Sequence, residues 1–304
     1  MSWTADNILD RLLEPLGRAR FFAEHWQRRG CALPGPRERF AELFDRAQFD
    51  AALARCRELK ATFFDDKGWF SELRISPDQA RRLYSAGMTI CAGMLPEEDA
   101  LAGFLGAYRG AIRSAGSVHF NSYLSPDGEG FGLHFDNHPV WILQLEGRKR
   151  WRFTPEPAMA EPSVTVTMPP DRDRLVLPWG VIERPADSAF AEVALEPGDA
   201  LYLPAGCWHA AKAEGYSLAL TLATAAGHAV ELLRHLLAAH AAEFPALFKS
   251  LPALPADAFA AGETPPALAE ALAAMRAQLL GFAEQLSEAE LLAAWRRAAD
   301  QGDK

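Results

Sequence analysis

The sequence lacks the features that mark membrane and secreted proteins. It has no uninterrupted apolar run long enough to cross a bilayer, and its first residues lack a basic segment followed by an apolar one. We therefore expect a cytoplasmic protein with no membrane partner. Cysteine is scarce, with four residues in 304 and no Cys-x-x-Cys pair, which argues against a zinc knuckle or a disulfide framework. No nucleotide-binding glycine-rich loop and no nucleophile elbow occur.

Positively charged residues are also fewer than negatively charged ones. Lysine and arginine number 31 against 40 aspartates and glutamates, which gives a net charge of −9. Such a charge disfavours direct binding to nucleic acid and suits a basic partner better. The composition is otherwise that of a globular protein, with 49% hydrophobic residues and a chain long enough to bury a sizeable core.

The hydrophobic pattern divides the chain into three regions. Residues 1–115 have mainly helical spacing, with a short buried strand expected at 88–92. Residues 116–226 change to a period of two, with turn sequences at short intervals, which is typical of a β-sandwich or barrel. Residues 227–304 are rich in alanine and leucine and return to helical spacing. The sequence thus predicts an α+β fold with a β core and helical additions at both ends.

The last region contains a narrow apolar seam on a predicted helix that follows Pro265-Pro266. Its members recur at intervals of four and three: Leu268, Leu272, Met275, Leu279, Phe282 and Leu286. Packing within the chain and a homodimer contact explain this seam equally well, because three heptads are the lower limit of a coiled-coil signal.

Three residues of the central region have the composition of a metal site. His134 and Asp136 are two apart in a predicted strand, so their side chains share one face. His209 follows the turns Pro197-Gly198-Asp199 and Pro204-Ala205-Gly206, which place the end of a distant strand at the same mouth of an antiparallel barrel. Two imidazoles and one carboxylate form the facial triad of non-haem Fe(II) oxygenases and leave positions open for a 2-oxo acid and O2.

A cation is predicted inside the same barrel. In the strand from Gly147 to Phe153, alternation places Lys149 on one face with two aromatic residues and puts three arginines on the other. The aromatic face should point inward. A buried ammonium needs an anionic partner, and the distal carboxylate of 2-oxoglutarate would provide one.

Together these segments resemble the Jumonji-C oxygenases, and more narrowly the ribosomal oxygenases of the cupin-4 group. The resemblance covers about residues 18 to 226. It includes the segments 21–26, 121–126, 134–136, 141–152 and 197–199, together with His209.

The resemblance implies a double-stranded β-helix (jelly-roll or cupin) core that holds Fe(II) through His134, Asp136 and His209. Lys149 matches the position that binds the distal carboxylate of 2-oxoglutarate in that family. Asn121 and Tyr123 match positions in the co-substrate pocket. Ser217 and Thr221, on the strand after His209, are expected to add hydroxyl contacts. Residues 227–304 correspond to the helical region through which the family dimerises.

We therefore expect an Fe(II)- and 2-oxoglutarate-dependent dioxygenase that hydroxylates an unactivated C–H bond on a protein or peptide side chain, with a basic ribosomal protein as one candidate substrate. Two alternatives stay open. In the first, the oxygenase hydroxylates a free amino acid or a biosynthetic peptide intermediate. In the second, the barrel binds metal without catalysing any oxidation.

Overall fold

The computed structural model describes residues 3–114, 116–224, 229–255, 258 and 264–301. The chain divides into two compact units, residues 1–226 and 227–304. The boundary residues of the predicted regions, 115 and 226, lie outside the described residues.

Strands dominate the first unit. Within the described residues they are β1 (Cys31–Leu33), β2 (Glu58–Phe64), β3 (Phe70–Arg74), β4 (Thr89–Gly93), β5 (Val118–Ser125), β6 (Gly130–Phe135), β7 (Val140–Phe153), β8 (Val166–Thr167), β9 (Arg174–Leu177), β10 (Gly180–Glu183), β11 (Ala191–Leu195), β12 (Ala200–Leu203) and β13 (His209–Thr224). The helices of this unit are α1 (Ile8–Leu13), α2 (Arg18–Arg20), which continues into a π-helical turn over Phe21–His25, α3 (Arg46–Ala52), α4 (Pro77–Ser85) and α5 (Asp99–Ala111).

Eleven of the described strands form one antiparallel sheet, and β9 and β10 form a separate hairpin. The longest strand, β13, pairs with β5, β6 and β7. The alternating burial of β5 shows why the sequence has a period of two here: successive side chains point to opposite faces, and only one face meets the core. The interior contains large side chains from several strands, among them Trp141, Tyr202 and Phe120, which are almost completely buried.

Strand β7 shows one difference from the sequence prediction. The predicted strand begins at Gly147, yet β7 begins at Val140 and continues through Glu146-Gly147, where the pairing with β13 becomes irregular. Gly147 has φ +66°, and a Cβ at this position would lie 1.7 Å from the carbonyl oxygen of Tyr216. Glycine therefore allows a local distortion of the strand instead of a chain reversal.

The first 115 residues also contain more strand than expected. Their pattern predicts a mainly helical region, and the structure adds β1, β2 and β3 to the predicted strand at β4, all four in the core sheet. Strand β2 pairs with β3 on one side and β4 on the other, whereas β1 pairs with the distant strand β12. Such pairing stabilises strands whose local pattern is ambiguous.

The second unit contains α6 (Ala229–Ala239), α7 (Pro266–Gln285) and α8 (Glu288–Gln301). Its small core includes Leu236, Phe244 and Phe282. A capping box begins α8, where the backbone N–H of Glu290 donates to Ser287 Oγ at 3.2 Å and that of Ser287 donates to Glu290 Oε2 at 2.8 Å. Among the described helices, none combines the length and apolar character needed to cross a bilayer.

Candidate metal and co-substrate site

The three predicted metal ligands meet at one point of the sheet. His134 lies near the end of β6, Asp136 directly follows that strand, and His209 begins β13. Because β13 pairs with β6, His209 stands opposite His134, with 4.1 Å between the ring centroids. His209 Nε2 lies 3.7 Å from Asp136 Oδ2, and one ligand atom from each of the three residues falls within 4.8 Å of the others. The geometry is that of a three-ligand metal site.

Hydrogen bonds orient both imidazoles. His134 Nδ1 lies 2.7 Å from the carbonyl oxygen of Gly132, and His209 Nδ1 lies 2.8 Å from that of Cys207. With each Nδ1–H donating to a carbonyl, each Nε2 keeps its lone pair for a metal ion. Thr165 Oγ1 donates to Asp136 Oδ1 at 3.3 Å and so restrains the carboxylate.

The protonation states also suit a metal. Burial, with the nearby charge of His134, lowers the pKa of His209 to about 4, so its imidazole is neutral at pH 7. Burial alone would raise the pKa of Asp136, but the two imidazoles outweigh this effect and hold it below its usual value. A carboxylate and a neutral imidazole are the forms that bind a divalent cation. This donor set fits Fe(II).

A cavity of about 200 Å³ opens beside the three ligands. Apart from the ligands, its walls contain Phe70, Glu72, Tyr123, Phe131, Val140, Ile142, Lys149, Trp151, Thr165, Thr167, Ala219 and Thr221. The mixture of apolar walls with a few polar groups is typical of a small-molecule site.

Lys149 is the cation of this cavity. Its side chain is 2% exposed, and Nζ donates to Ser125 Oγ at 2.9 Å. No carboxylate of the described residues lies within ion-pairing distance of Nζ. Burial lowers the pKa of Lys149 to about 8, so the group is still mainly charged at pH 7. A buried ammonium without a counterion indicates an anionic ligand.

The predicted alternation of this strand is confirmed. Trp151 and Phe153 are buried with Lys149, whereas the three arginines lie on the opposite face. Glu214 binds two of these arginines, with N–O distances of 3.0 Å and 2.6 Å, so this face is a solvated ion-pair surface.

The remaining predicted residues divide into two groups. Tyr123 and Thr221 line the cavity. Asn121 and Ser217 do not. Asn121 Oδ1 accepts a hydrogen bond from the backbone N–H of Met94 at 2.8 Å, and Ser217 Oγ accepts one from Gln144 Nε2 at 3.0 Å. Strand alternation identifies the face on which a residue lies, but not how far along the barrel it lies.

Several cavity residues were missed. Thr165 and Thr167 come from the segment around β8, which contains two residues and pairs with β6 so that Thr167 lies opposite His134. The alternation of polar and apolar residues from Ser163 to Thr167 was the available signal. Phe70 and Glu72 come from β3, which no motif marked.

Comparisons with known proteins agree with this site. The JmjC domain family matches residues 108–232. The chain is 27% identical over 233 residues to the bifunctional lysine-specific demethylase and histidyl-hydroxylase NO66 of Drosophila grimshawi, covering 71% of this chain and 30% of the relative. It is 28% identical over 236 residues to human ribosomal oxygenase 1, covering 72% of this chain and 34% of the relative. The chain thus spans about a third of each of these two relatives.

A solved structure shares the fold. It is YcfD, a ribosomal oxygenase from Escherichia coli, in complex with cobalt and 2-oxoglutarate. The TM-score is 0.60 at 19% sequence identity, and the match covers 92% of this chain and 70% of YcfD. The predicted fold class, a cupin-type β core with helices at both ends, is confirmed. Residues 108–232 therefore match the JmjC domain family, in a chain similar in sequence to ribosomal oxygenases.

Proposed function

We propose that the protein is an Fe(II)- and 2-oxoglutarate-dependent dioxygenase that hydroxylates an unactivated C–H bond. The observation that carries this proposal is the single cavity in which three metal ligands face the buried, unpaired cation Lys149. A metal-binding cupin without oxidative chemistry has no use for that cation. The complex of YcfD with cobalt and 2-oxoglutarate supports the same ligand pair.

Most residues that line the cavity then have a role. His134, Asp136 and His209 would hold the metal, and Lys149 would bind the distal carboxylate of the co-substrate. When bound, iron and 2-oxoglutarate would activate O2, which is the oxidant. The protein itself positions the metal ligands and shields the reacting atoms from water. Thr165 keeps the Asp136 carboxylate in place, and the apolar wall of Val140, Ile142 and Trp151 keeps water away from the reacting atoms.

Hydroxyl groups complete the proposed co-substrate pocket. Tyr123 and Thr221 are in place to donate to the carboxylates of the ligand. Asn121 and Ser217 would act indirectly, because each supports the wall from outside the cavity.

An anaerobic optical titration tests this function without knowledge of the substrate. Fe(II) and then 2-oxoglutarate are added to the apo-protein, and the charge-transfer band of the chelate is recorded. We expect a band in the wild type, none in Asp136→Ala, and a much weaker apparent affinity for 2-oxoglutarate in Lys149→Ala. Bound metal without any band would favour the non-oxidative cupin instead.

For the substrate we propose a protein or peptide side chain, with a basic ribosomal protein as the first candidate. The names of the two relatives and the net charge of −9 support this choice. A +16 Da shift on a ribosomal protein that depends on the enzyme would confirm it. Hydroxylation confined to a free amino acid or a biosynthetic peptide intermediate would favour the alternative substrates.

Three further expectations belong to this proposal. The protein acts in the cytoplasm, it binds no nucleic acid directly, and it forms a homodimer through residues 227–304. The acidic charge supports the second expectation, and the exposed leucines of α7 support the third.

A further inference from the structure

A second cavity adjoins the metal site. It is a groove of about 600 Å³ between the β2–β3 turn (residues 65–69) and the segment 167–170 that contains the end of β8. Phe70, Phe131 and Thr167 line both this groove and the metal cavity. The two cavities therefore lie side by side, and a molecule lying in the groove would lie next to the metal cavity. We call this space the aromatic groove.

Aromatic rings follow one another from the aromatic groove to the metal site. The centroid distances are 5.7 Å from Phe64 to Phe70, 5.2 Å from Phe70 to Phe131, and 5.7 Å from Phe131 to His134. Gly132 allows this close packing, since a Cβ there would lie 2.9 Å from the Cβ of Phe70. The wall of the groove is therefore apolar and ends at a metal ligand.

The outer edge of the groove carries an exposed indole that is held in place. Asp65 Oδ1 accepts hydrogen bonds from the backbone N–H groups of Lys67 and Trp69, at 2.9 and 2.8 Å, and Gly68 has φ +79°. This turn presents Trp69, 38% exposed, in the lining of the groove, to which Pro169 and Pro170 also contribute. An exposed aromatic side chain on an ordered turn is a typical anchor for a binding partner.

The charges that line the groove balance one another. Asp65 and Asp66 lie on one side, and Arg184 and Lys212 also contribute to the lining. Asp65 is engaged by its turn, Arg184 donates to the carbonyl oxygens of Arg172 and Pro169, and Lys212 Nζ lies 5.0 Å from the ring centroid of Phe64. The groove thus offers no net charge to select a basic ligand, and its recognition must rest on apolar contact.

Two strands beside the groove have an unpaired edge. Among the described residues, β3 pairs only with β2 and ends the strand order of the sheet, while β8 pairs only with β6. Sheet edges without a partner strand are the places where an extended main chain adds to a sheet. A free amino acid has neither the length to follow the groove nor the main chain to use such an edge.

We propose that the aromatic groove binds an extended polypeptide segment through at least one apolar side chain, which packs on Trp69 and the phenylalanines. That this segment flanks the residue entering the metal cavity rests on the proposed function. The groove would then explain how an acidic enzyme selects one site in a protein substrate: long-range charge attracts the partner, and apolar contact in the groove sets the position.

Peptide selection on the metal-free protein tests the groove. Phage-displayed randomised decapeptides are selected on the wild type, and a selected peptide is synthesised with a fluorescent label for affinity measurement. We expect selected sequences to share an apolar residue at one position. Trp69→Ser should weaken binding about tenfold or more, as truncation of an interface tryptophan commonly does, and Trp69→Phe should restore most of it.

The matched control is Trp179→Ser, which removes an indole of similar exposure, 50%, at the β9–β10 hairpin and outside the groove lining. It should bind the peptide as the wild type does. Failure to select any peptide, or equal affinity in Trp69→Ser, would overturn the proposal. The optical titration judges the proposed function separately, because peptide binding is measured without metal. A normal charge-transfer band with no peptide binding would contradict the proposal for the aromatic groove and leave the proposed function intact.

Discussion

At the scale of the residue, the buried charge of Lys149 lowers the stability of the fold, although the proposed binding of 2-oxoglutarate requires it. The ammonium is buried with one hydroxyl partner, and a pKa lowered from 10.5 to about 8 corresponds to a penalty of about 3 kcal/mol for keeping it charged at pH 7. Lys149→Met keeps the length of the side chain and removes the charge, while the loss of one hydrogen bond costs about 1 kcal/mol. We expect the metal-free variant to be more stable than the wild type by about 1 to 2 kcal/mol, measured by denaturant unfolding.

The pH dependence of this difference has a definite sign. Because the pKa of Lys149 is lower in the folded state, the unfolded chain binds more protons between pH 8 and 10.5, and the wild type gains stability from this group as pH rises through that window. The advantage of Lys149→Met should therefore shrink above pH 8. Below pH 8 it should be constant.

Ligand binding should favour the wild type over the variant, in contrast to the stabilities of the ligand-free proteins. With Mn(II) already present in both samples, added 2-oxoglutarate should raise the melting temperature of the wild type further and have little additional effect on Lys149→Met, because the variant lacks the cation that binds the distal carboxylate. Lys212→Met, which removes an exposed lysine, is the control for loss of charge alone. A variant that is less stable than the wild type at pH 7, or that responds equally to the ligand, would contradict this interpretation of Lys149.

At the scale of the element, the β9–β10 hairpin packs against residues that are adjacent in sequence to the candidate metal ligands. Its inner side chain Ile182 packs in one small cluster with Phe135 and Trp208. Phe135 lies between His134 and Asp136 in sequence, and Trp208 precedes His209. Ile182→Ala should cost about 2 kcal/mol of unfolding free energy through the cavity that it creates. It should also weaken Co(II) binding severalfold, since the ligands lose their support.

The same hairpin provides the control. Val181 is the neighbour of Ile182 on the opposite face, 55% exposed, so Val181→Ala should change the unfolding free energy by less than about 0.5 kcal/mol and leave Co(II) affinity unchanged. Denaturant unfolding and a Co(II) titration measure the two effects. Equal effects of both substitutions, or a stability loss in Ile182→Ala with unaltered Co(II) affinity, would disprove the coupling between the hairpin and the ligands.

The sequence predicts elements well where one physical signal dominates. Alternation identified the inward face of β7 correctly, and the turns around Gly198 and Gly206, with φ +95° and +80°, occur where glycine allows positive φ. The candidate metal ligands His134, Asp136 and His209 could be predicted because a metal site requires particular residue types, and the structure brings these three side chains together. Strand β8 could not, because its two residues pair with β6, a strand well before it in the sequence. Strand β3 pairs with its sequence neighbour β2 in a hairpin, but no motif in the sequence marked it. Thr165, Thr167 and Phe70 were missed for these reasons.

At the scale of the whole molecule, self-association depends on the apolar seam of α7. Phe282 is buried in the core of its own unit, as packing within the chain requires. Leu272 and Leu279, seven residues apart and so on one face of the helix, are 37% and 41% exposed. Phe282 therefore belongs to the part of the seam that packs within the chain. Leu272 and Leu279 belong to a part that is exposed and can contact a second copy of the chain.

We predict that sedimentation equilibrium in the micromolar range gives the mass of a dimer for the wild type. The double variant Leu272→Lys/Leu279→Lys should give the mass of a monomer, because two charges on each α7 would face each other across the interface and lose hydration there. Val176→Lys/Val181→Lys alters an equally apolar pair on the β9–β10 hairpin, 77% and 55% exposed, and should leave the dimer intact. A monomeric wild type, or dissociation by the hairpin variant alone, would show that α7 does not form the interface. If dissociated protein keeps the charge-transfer band, each chain holds a complete metal and co-substrate site, as the location of all three ligands and Lys149 in the first unit requires.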